Sequence, residues 1–184
     1  MIPDITSFAD IHTHGRTAPD AVTNLRPCEM PAGDYGTAWF SAGIHPWDTA
    51  EAVPEAYWLW LDNIVADARV VAVGECGLDA LAGGTAAEQE VVFLRQADIA
   101  RRAGKPLIIH CVRSWHRLLA LRPKLPDGIR LIVHGFRGKP ELARQLLDAG
   151  FDLSFGTRHN AASFAATPPD RRFRETDEDI KQID

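Results

Sequence analysis

Phe8-Ala9-Asp10-Ile11-His12-Thr13-His14 is the stretch that decides how this chain is read: a short apolar run that ends in two histidines one residue apart. On a strand, residues i and i+2 face the same side, so His12 and His14 present both imidazoles to one point. Neutral imidazole is a common ligand for first-row metals, and two rings fixed on one strand already set part of a coordination shell. The same pattern returns further along. Gly43-Ile44-His45-Pro46, Val73-Gly74-Glu75-Cys76-Gly77-Leu78-Asp79, Leu107-Ile108-Ile109-His110 and Leu131-Ile132-Val133-His134 each close a strand candidate with a histidine or an acid, and Glu175-Thr176-Asp177 ends the last one.

Working outward, the strand candidates are residues 5–11, 21–25, 38–44, 70–75, 106–110, 129–134, 151–155 and 172–176. Helical spacing marks 54–68, 86–103, 114–121 and 140–149, with Pro54 suited to a first turn and Gly104 and Gly150 as stops. Residues 27–35 and 167–171 read as loops. Strands separated by helices argue for a parallel sheet with helical crossovers, in one α/β domain over residues 1–184. In a barrel of parallel strands the C-terminal ends share one rim, where such folds place their chemistry.

Bulk properties narrow the class. The chain has 184 residues, 46% hydrophobic and 24% charged, enough for one sizeable core. No apolar run approaches the roughly 18–20 residues of a membrane span. The opening Met1-Ile2-Pro3-Asp4 lacks the basic start and apolar stretch of a signal peptide. Three cysteines, Cys28, Cys76 and Cys111, are too few for a disulfide framework, so a reducing cytoplasm is the expected setting. The net charge of −5 does not advertise nucleic-acid binding, so any such substrate needs a local basic patch or metal ions at the contact. No obligate protein partner is evident.

Each site residue also has a plain structural reading. His110 and His134 follow three apolar residues, and either one alone reads equally as a buried, satisfied histidine. Glu75 is different, because a buried carboxylate is costly unless paired or metal-bound. His45 is read equally as a ligand, a substrate contact or a turn residue, while His116 and His159 default to exposed or packing roles. Cys76 and Cys111 each follow a candidate ligand, so alternation turns them away from it, toward the core. Trp58 and Trp60 lie two apart on one helix, which predicts that one is exposed.

The strings DIHTH (10–14), GIHPW (43–47), GECGLD (74–79), KPLIIHCVRSW (105–115), IVHGFRG (132–138), LSFG (153–156) and ETD (175–177) resemble, in order, those of the TatD-like metal-dependent hydrolases. These are often described as deoxyribonucleases, within the amidohydrolase superfamily. The resemblance implies a distorted TIM (β/α)8 barrel with a two-metal site at its rim. It implies that His12 and His14 bind one ion with Asp177, that His110 and His134 bind the second, and that Glu75 bridges them. His45 and Arg113 would line the pocket. Two divalent ions about 3.5–4 Å apart activate water near neutral pH and offset charge on a phosphoryl group. Asp177 is a candidate proton acceptor, and Arg113, Arg137, Lys139 and Arg158 are candidates to hold non-bridging oxygens. The expected substrate is DNA or another phosphodiester. Alternatives are an amidohydrolase or esterase acting on a carbonyl substrate such as D-aminoacyl-tRNA, and a non-catalytic metal-binding relative. The family is usually described as magnesium-dependent, whereas an imidazole-rich shell suits Mn, Zn or Ni.

The chain departs from the family pattern in three places. It stops at Asp184, soon after ETD, so the last outer helix of the barrel is expected to be missing through a truncated C-terminus. The last strand, Arg171-Arg172-Phe173-Arg174-Glu175, is charged where the family is usually apolar, so the placing of Asp177 rests on the ETD string alone. Finally, Ala80-Leu81-Ala82-Gly83-Gly84 replaces the aromatic residues common after GLD, which predicts a shallower substrate cleft.

Overall fold

Each of the eight strand candidates carries a strand, and their order in the sheet is their order in the chain, every neighbouring pair parallel. The computed structural model describes residues 2–15, 17–29 and 38–177. The strands are β1 (Asp10–Thr13), β2 (Ala21–Leu25), β3 (Trp39–Ala42), β4 (Val70–Asp79), β5 (Leu107–Val112), β6 (Leu131–Val133), β7 (Asp152–Phe155) and β8 (Arg172–Arg174). Helices α1 (Glu55–Ile64), α2 (Ala86–Ala103), α3 (Trp115–Leu121), α4 (Pro140–Asp148) and α5 (Ala161–Ala166) fill the later crossovers. The result is a nearly closed TIM-type barrel. The region of a closing helix after β8, from residue 178, lies outside the described residues, as does the predicted loop from residue 30 onward.

Strand alternation separates two apolar layers. On β5, Leu107, Ile109 and Cys111 join the large cluster that includes Leu118, Phe93 and Leu146 from the helices, whereas Ile108 joins a second cluster with Ile11, Val22, Ile132 and Phe173. Residues from strands so far apart in the sheet meet only across the barrel's interior. On β6, Leu131 and Val133 likewise face the helices and Ile132 faces inward. A step of two from Ile108 and Ile132 brings His110 and His134 to the inward face at the rim.

Several boundaries differ from those the sequence predicts. Residues 5–7 form a 3-10 turn because the Asp4 carboxylate accepts the Thr6 N–H at 2.8 Å, and β1 starts only at Asp10. Helix α1 ends at Ile64, and Asp67 accepts the Arg69 N–H at 2.8 Å in a turn that redirects the chain into β4. Trp58 and Trp60 are both buried, and the Trp60 indole N–H donates to the Glu29 carbonyl at 2.8 Å, a few residues after β2. Residues 169–171, predicted as loop, form a 3-10 turn. Helix α5 escaped the pattern reading; Asn160 caps it by accepting the Ala162 and Ser163 N–H groups. The charge on β8 is carried outward, with the Arg172 and Arg174 guanidinium groups 4.2 and 4.7 Å from the Phe164 ring centroid, while Phe173 points in.

Strand β4 runs four residues beyond its predicted end, and it does so through glycines. A Cβ on Gly74 would stand 2.4 Å from the Ile108 carbonyl oxygen, and one on Gly77 2.1 Å from that of His110, both at positive φ. Only glycine permits this backbone approach. The register slips between Val73 and Cys76, an irregularity of the kind that re-aims a side chain, here Glu75. Buried Asn24 on β2 holds the bend by donating to the Gly74 carbonyl at 2.7 Å.

Helix α2 fixes two strand exits. It is bounded by a Thr85–Glu88 capping box and a left-handed Gly104. Its buried Gln96 accepts the Ile44 N–H and donates to the Ile44 carbonyl, and Gln89 does the same for Asp79. At the β8–β1 seam, the Asp10 carboxylate accepts the Thr176 N–H (3.2 Å) and hydroxyl (2.8 Å), and the Asp177 N–H donates to the His12 carbonyl (3.2 Å). Thr176→Val is expected to cost about 0.5–1.5 kcal/mol in urea unfolding, since one of the hydrogen bonds that close the seam is lost. An unchanged midpoint would mean that other contacts hold the seam.

Candidate metal centre

Glu75 stands at the centre of the rim, 5% exposed. Its Oε1 lies 2.7 Å from His110 Nδ1, 2.7 Å from His134 Nε2 and 3.1 Å from His45 Nε2. Its Oε2 faces the other way, 3.4 Å from both His12 Nε2 and His14 Nε2. Asp177 Oδ1 closes that second group at 3.9 and 3.8 Å from the same two nitrogens. One carboxylate therefore turns each oxygen to a separate set of imidazoles.

Among the described residues four groups could hold an ion: His12, His14 and Asp177 on one side, His45, Glu75 and His110 on the other, and two that join the sides through His134, one with His12 and Glu75 and one with Glu175 and Asp177. His45, read from sequence as ligand, substrate contact or turn residue alike and placed on the pocket lining by the resemblance, lines the cleft, and its Nε2 also lies 3.4 Å from His110 Nδ1. Arg113 and Arg137 are exposed and line the same cleft, of about 670 Å³, which Trp47 and Trp115 also border. Arg158 is exposed on the loop after β7 and is not among the residues lining the cleft, and Lys139 is exposed just before α4.

Two carboxylates that sequence reasoning passed over hold the imidazoles from behind. Asp79 Oδ2 lies 3.1 Å from His110 Nε2, and Glu175 Oε1 lies 3.6 Å from His134 Nδ1 while accepting the Gly135 N–H at 2.6 Å. A carboxylate on the far nitrogen fixes an imidazole's tautomer and orientation and raises its basicity. The signal was present: both acids sit in strings already singled out, GLD and ETD, and Glu175 lies two residues before Asp177.

The electrostatics follow from burial and pairing. Burial opposes ionisation of Glu75, yet the His134 charge, hydrogen bonds from His110 and His134, and the His12 ring 3.4 Å away hold its carboxyl well below the usual range. Burial opposes the charged form of His134 too, but Glu75 and Glu175 push it well above the ordinary imidazole value. Against the same opposition from burial, His110 is raised by Asp79 and Glu75. His45 is lowered, chiefly by burial. Asp79, despite partial burial, is held down to about 2 by His110, Trp47 and the Leu81 N–H. The residues fit cations. Glu75 is ionised where burial disfavours it, and both ring nitrogens of fully buried His12 lack a hydrogen-bond partner among the described residues.

A parallel barrel carrying imidazoles and carboxylates at its C-terminal rim has the architecture of a metallohydrolase barrel. Comparison narrows the class: the chain belongs to the TatD related DNase family, whose model matches residues 11–180. A 3'-5' ssDNA/RNA exonuclease TatD of Klebsiella pneumoniae (strain 342) is 35% identical over 136 residues, covering 70% of this chain and 50% of that protein. The protein of the same name from Citrobacter koseri is 38% identical over 136 residues, covering 70% and 51%. The chain thus spans about half the length of the curated relatives it matches. Among solved structures, the TatD homologue YJJV of Escherichia coli K12 superposes with a TM-score of 0.69 at 24% identity, covering 85% of this chain and 66% of its own. A TatD family hydrolase of Entamoeba histolytica gives 0.66 at 21%, covering 85% and 60%. These two likenesses show the fold.

Proposed function

We propose that this chain is a single-domain, metal-dependent phosphodiesterase that cleaves single-stranded DNA or RNA with two divalent ions held at the barrel rim. The observation that carries this reading is the division of Glu75, with Oε2 toward His12, His14 and Asp177 and Oε1 toward His45, His110 and His134. His12, His14, Asp177 and Glu75 would hold one ion; His110, His134 and the other oxygen of Glu75 would hold the second, with His45 beside it. Bound there, the ions supply Lewis acidity: they lower the pKa of a water and offset charge on the phosphoryl oxygens.

The rest falls to side chains. Asp177, 26% exposed at the mouth, accepts the proton of the attacking water. Arg113 and Arg137, which line the cleft, hold the non-bridging oxygens, and Arg158 and Lys139, outside its lining, are the further candidates for phosphate contact. Asp79 and Glu175 keep His110 and His134 oriented. The imidazole-rich donor set favours Mn, Zn or Ni, with Mg the ion the family resemblance implies. The names of the relatives favour a phosphodiester over the amide and ester alternatives. No helix of the described residues is long and apolar enough to cross a membrane, and the cysteines are free, which supports a cytoplasmic setting.

A chelator is expected to abolish cleavage of a single-stranded oligonucleotide, and adding back Mg, Mn, Zn or Ni one at a time to restore it. Chelator-resistant cleavage, or turnover confined to amides and esters, would contradict the proposal.

A further inference from the structure

Trp47 follows the His45-Pro46 exit of β3 and stands on the lip of the cleft, 42% exposed. Its ring is nevertheless fixed. The indole N–H donates to Asp79 Oδ2 at 2.7 Å, and the ring packs edge-on against His45, centroids 4.7 Å apart at 76°. A rigid, exposed aromatic presents a preformed surface whose ordering cost is already met within the fold. Arg113 and Arg137 line the same cleft. Guanidinium groups for phosphates beside an aromatic face for bases is the combination by which proteins grip single-stranded nucleic acid.

We propose that Trp47 is a stacking platform for the nucleobase adjacent to the cleaved bond; this rests on the phosphodiesterase reading. Bases inside a duplex are stacked on both faces, so a platform at the cleft mouth selects unpaired strands and frayed ends. Trp47 is a substrate contact, and through Asp79 it is also tied to His110. A base seated on Trp47 therefore bears on the same carboxylate that lies 3.1 Å from His110 Nε2. Selection of single strands then follows from stacking geometry, with no base edge read by hydrogen bonds. This suits an enzyme that must accept every base.

The test is a cycle between protein and substrate. Wild type, Trp47→Ala and Trp47→Phe are each given a single-stranded oligonucleotide, intact or with one abasic nucleotide next to the cleaved bond. Removing either the ring or the base is expected to raise KM roughly 5- to 150-fold, and removing both to raise it no further. Trp47→Phe, which keeps a ring face but gives up the N–H bond to Asp79, is expected to recover most of the KM lost in Trp47→Ala. The abasic change in the wild-type protein needs no variant to fold. Additive losses, or a KM indifferent to both changes, would overturn the platform. The same cycle is read as the affinity of a labelled phosphorothioate oligonucleotide, with no cleavage required. Absence of hydrolysis by the wild type thus counts against the phosphodiesterase reading, and an affinity that ignores Trp47 counts against stacking.

Discussion

Glu75→Gln is expected to empty both ion positions at once and to lower kcat by at least about a thousandfold, because several kcal/mol of transition-state charge stabilisation are lost and each 1.36 kcal/mol is tenfold. The amide keeps the shape of the carboxylate and so the packing of the rim. What it loses is the charge that answers the surrounding imidazoles, two at 2.7 Å and one at 3.1 Å on one oxygen and two at 3.4 Å on the other. Metal content and turnover should fall together while the circular dichroism spectrum stays native. A variant that kept its metal would show that Glu75 is a structural acid compensated by histidines.

Asp177→Asn is expected to act on one side only. Asp177 faces His12 and His14 at 3.8–3.9 Å and groups also with His134 and Glu175, but not with His45, Glu75 and His110. The variant should retain about one ion equivalent, held by His110, His134 and Glu75, and lose about 10²–10⁴-fold in kcat through the missing proton acceptor. Metal content read by elemental analysis separates the two variants, near zero for one and near half for the other. Loss of both ions from Asp177→Asn would mean that the two groups bind as a single unit.

Much of the barrel was legible because strands apolar on both faces read as short continuous runs, set apart by their length from the longer helical stretches between them. On β5 and β6 a triple apolar run followed by histidine leaves only one face for the ring, and His110 and His134 lie where that alternation puts them. Other features are set by contacts that local sequence does not encode. The extension of β4 past Glu75 depends on Gly74 and Gly77 meeting the β5 backbone, whereas glycine in isolation reads as a strand stop. The turn at residues 5–7 depends on one Asp4 side chain competing for the backbone. Trp60 is buried and its indole reaches the Glu29 carbonyl, a partner that helical periodicity cannot show. The three roles left open for His45 could not be separated because nothing in GIHPW reveals that Gln96 clamps Ile44 and so fixes the exit on which its ring meets Glu75. Asp79 and Glu175 stood in strings already singled out, but their partners could not be read there: His110 lies on β5 and His134 just past β6.

In the proposed site one buried carboxylate, Glu75, serves two ion positions. Elemental analysis of the wild-type chain, after equilibration with Mn or Zn and removal of free metal, counts the ions. About two equivalents per chain, falling to near zero in Glu75→Gln, is the result expected of a bridging ligand. One equivalent, or a metal content that Glu75→Gln leaves unchanged, would contradict it.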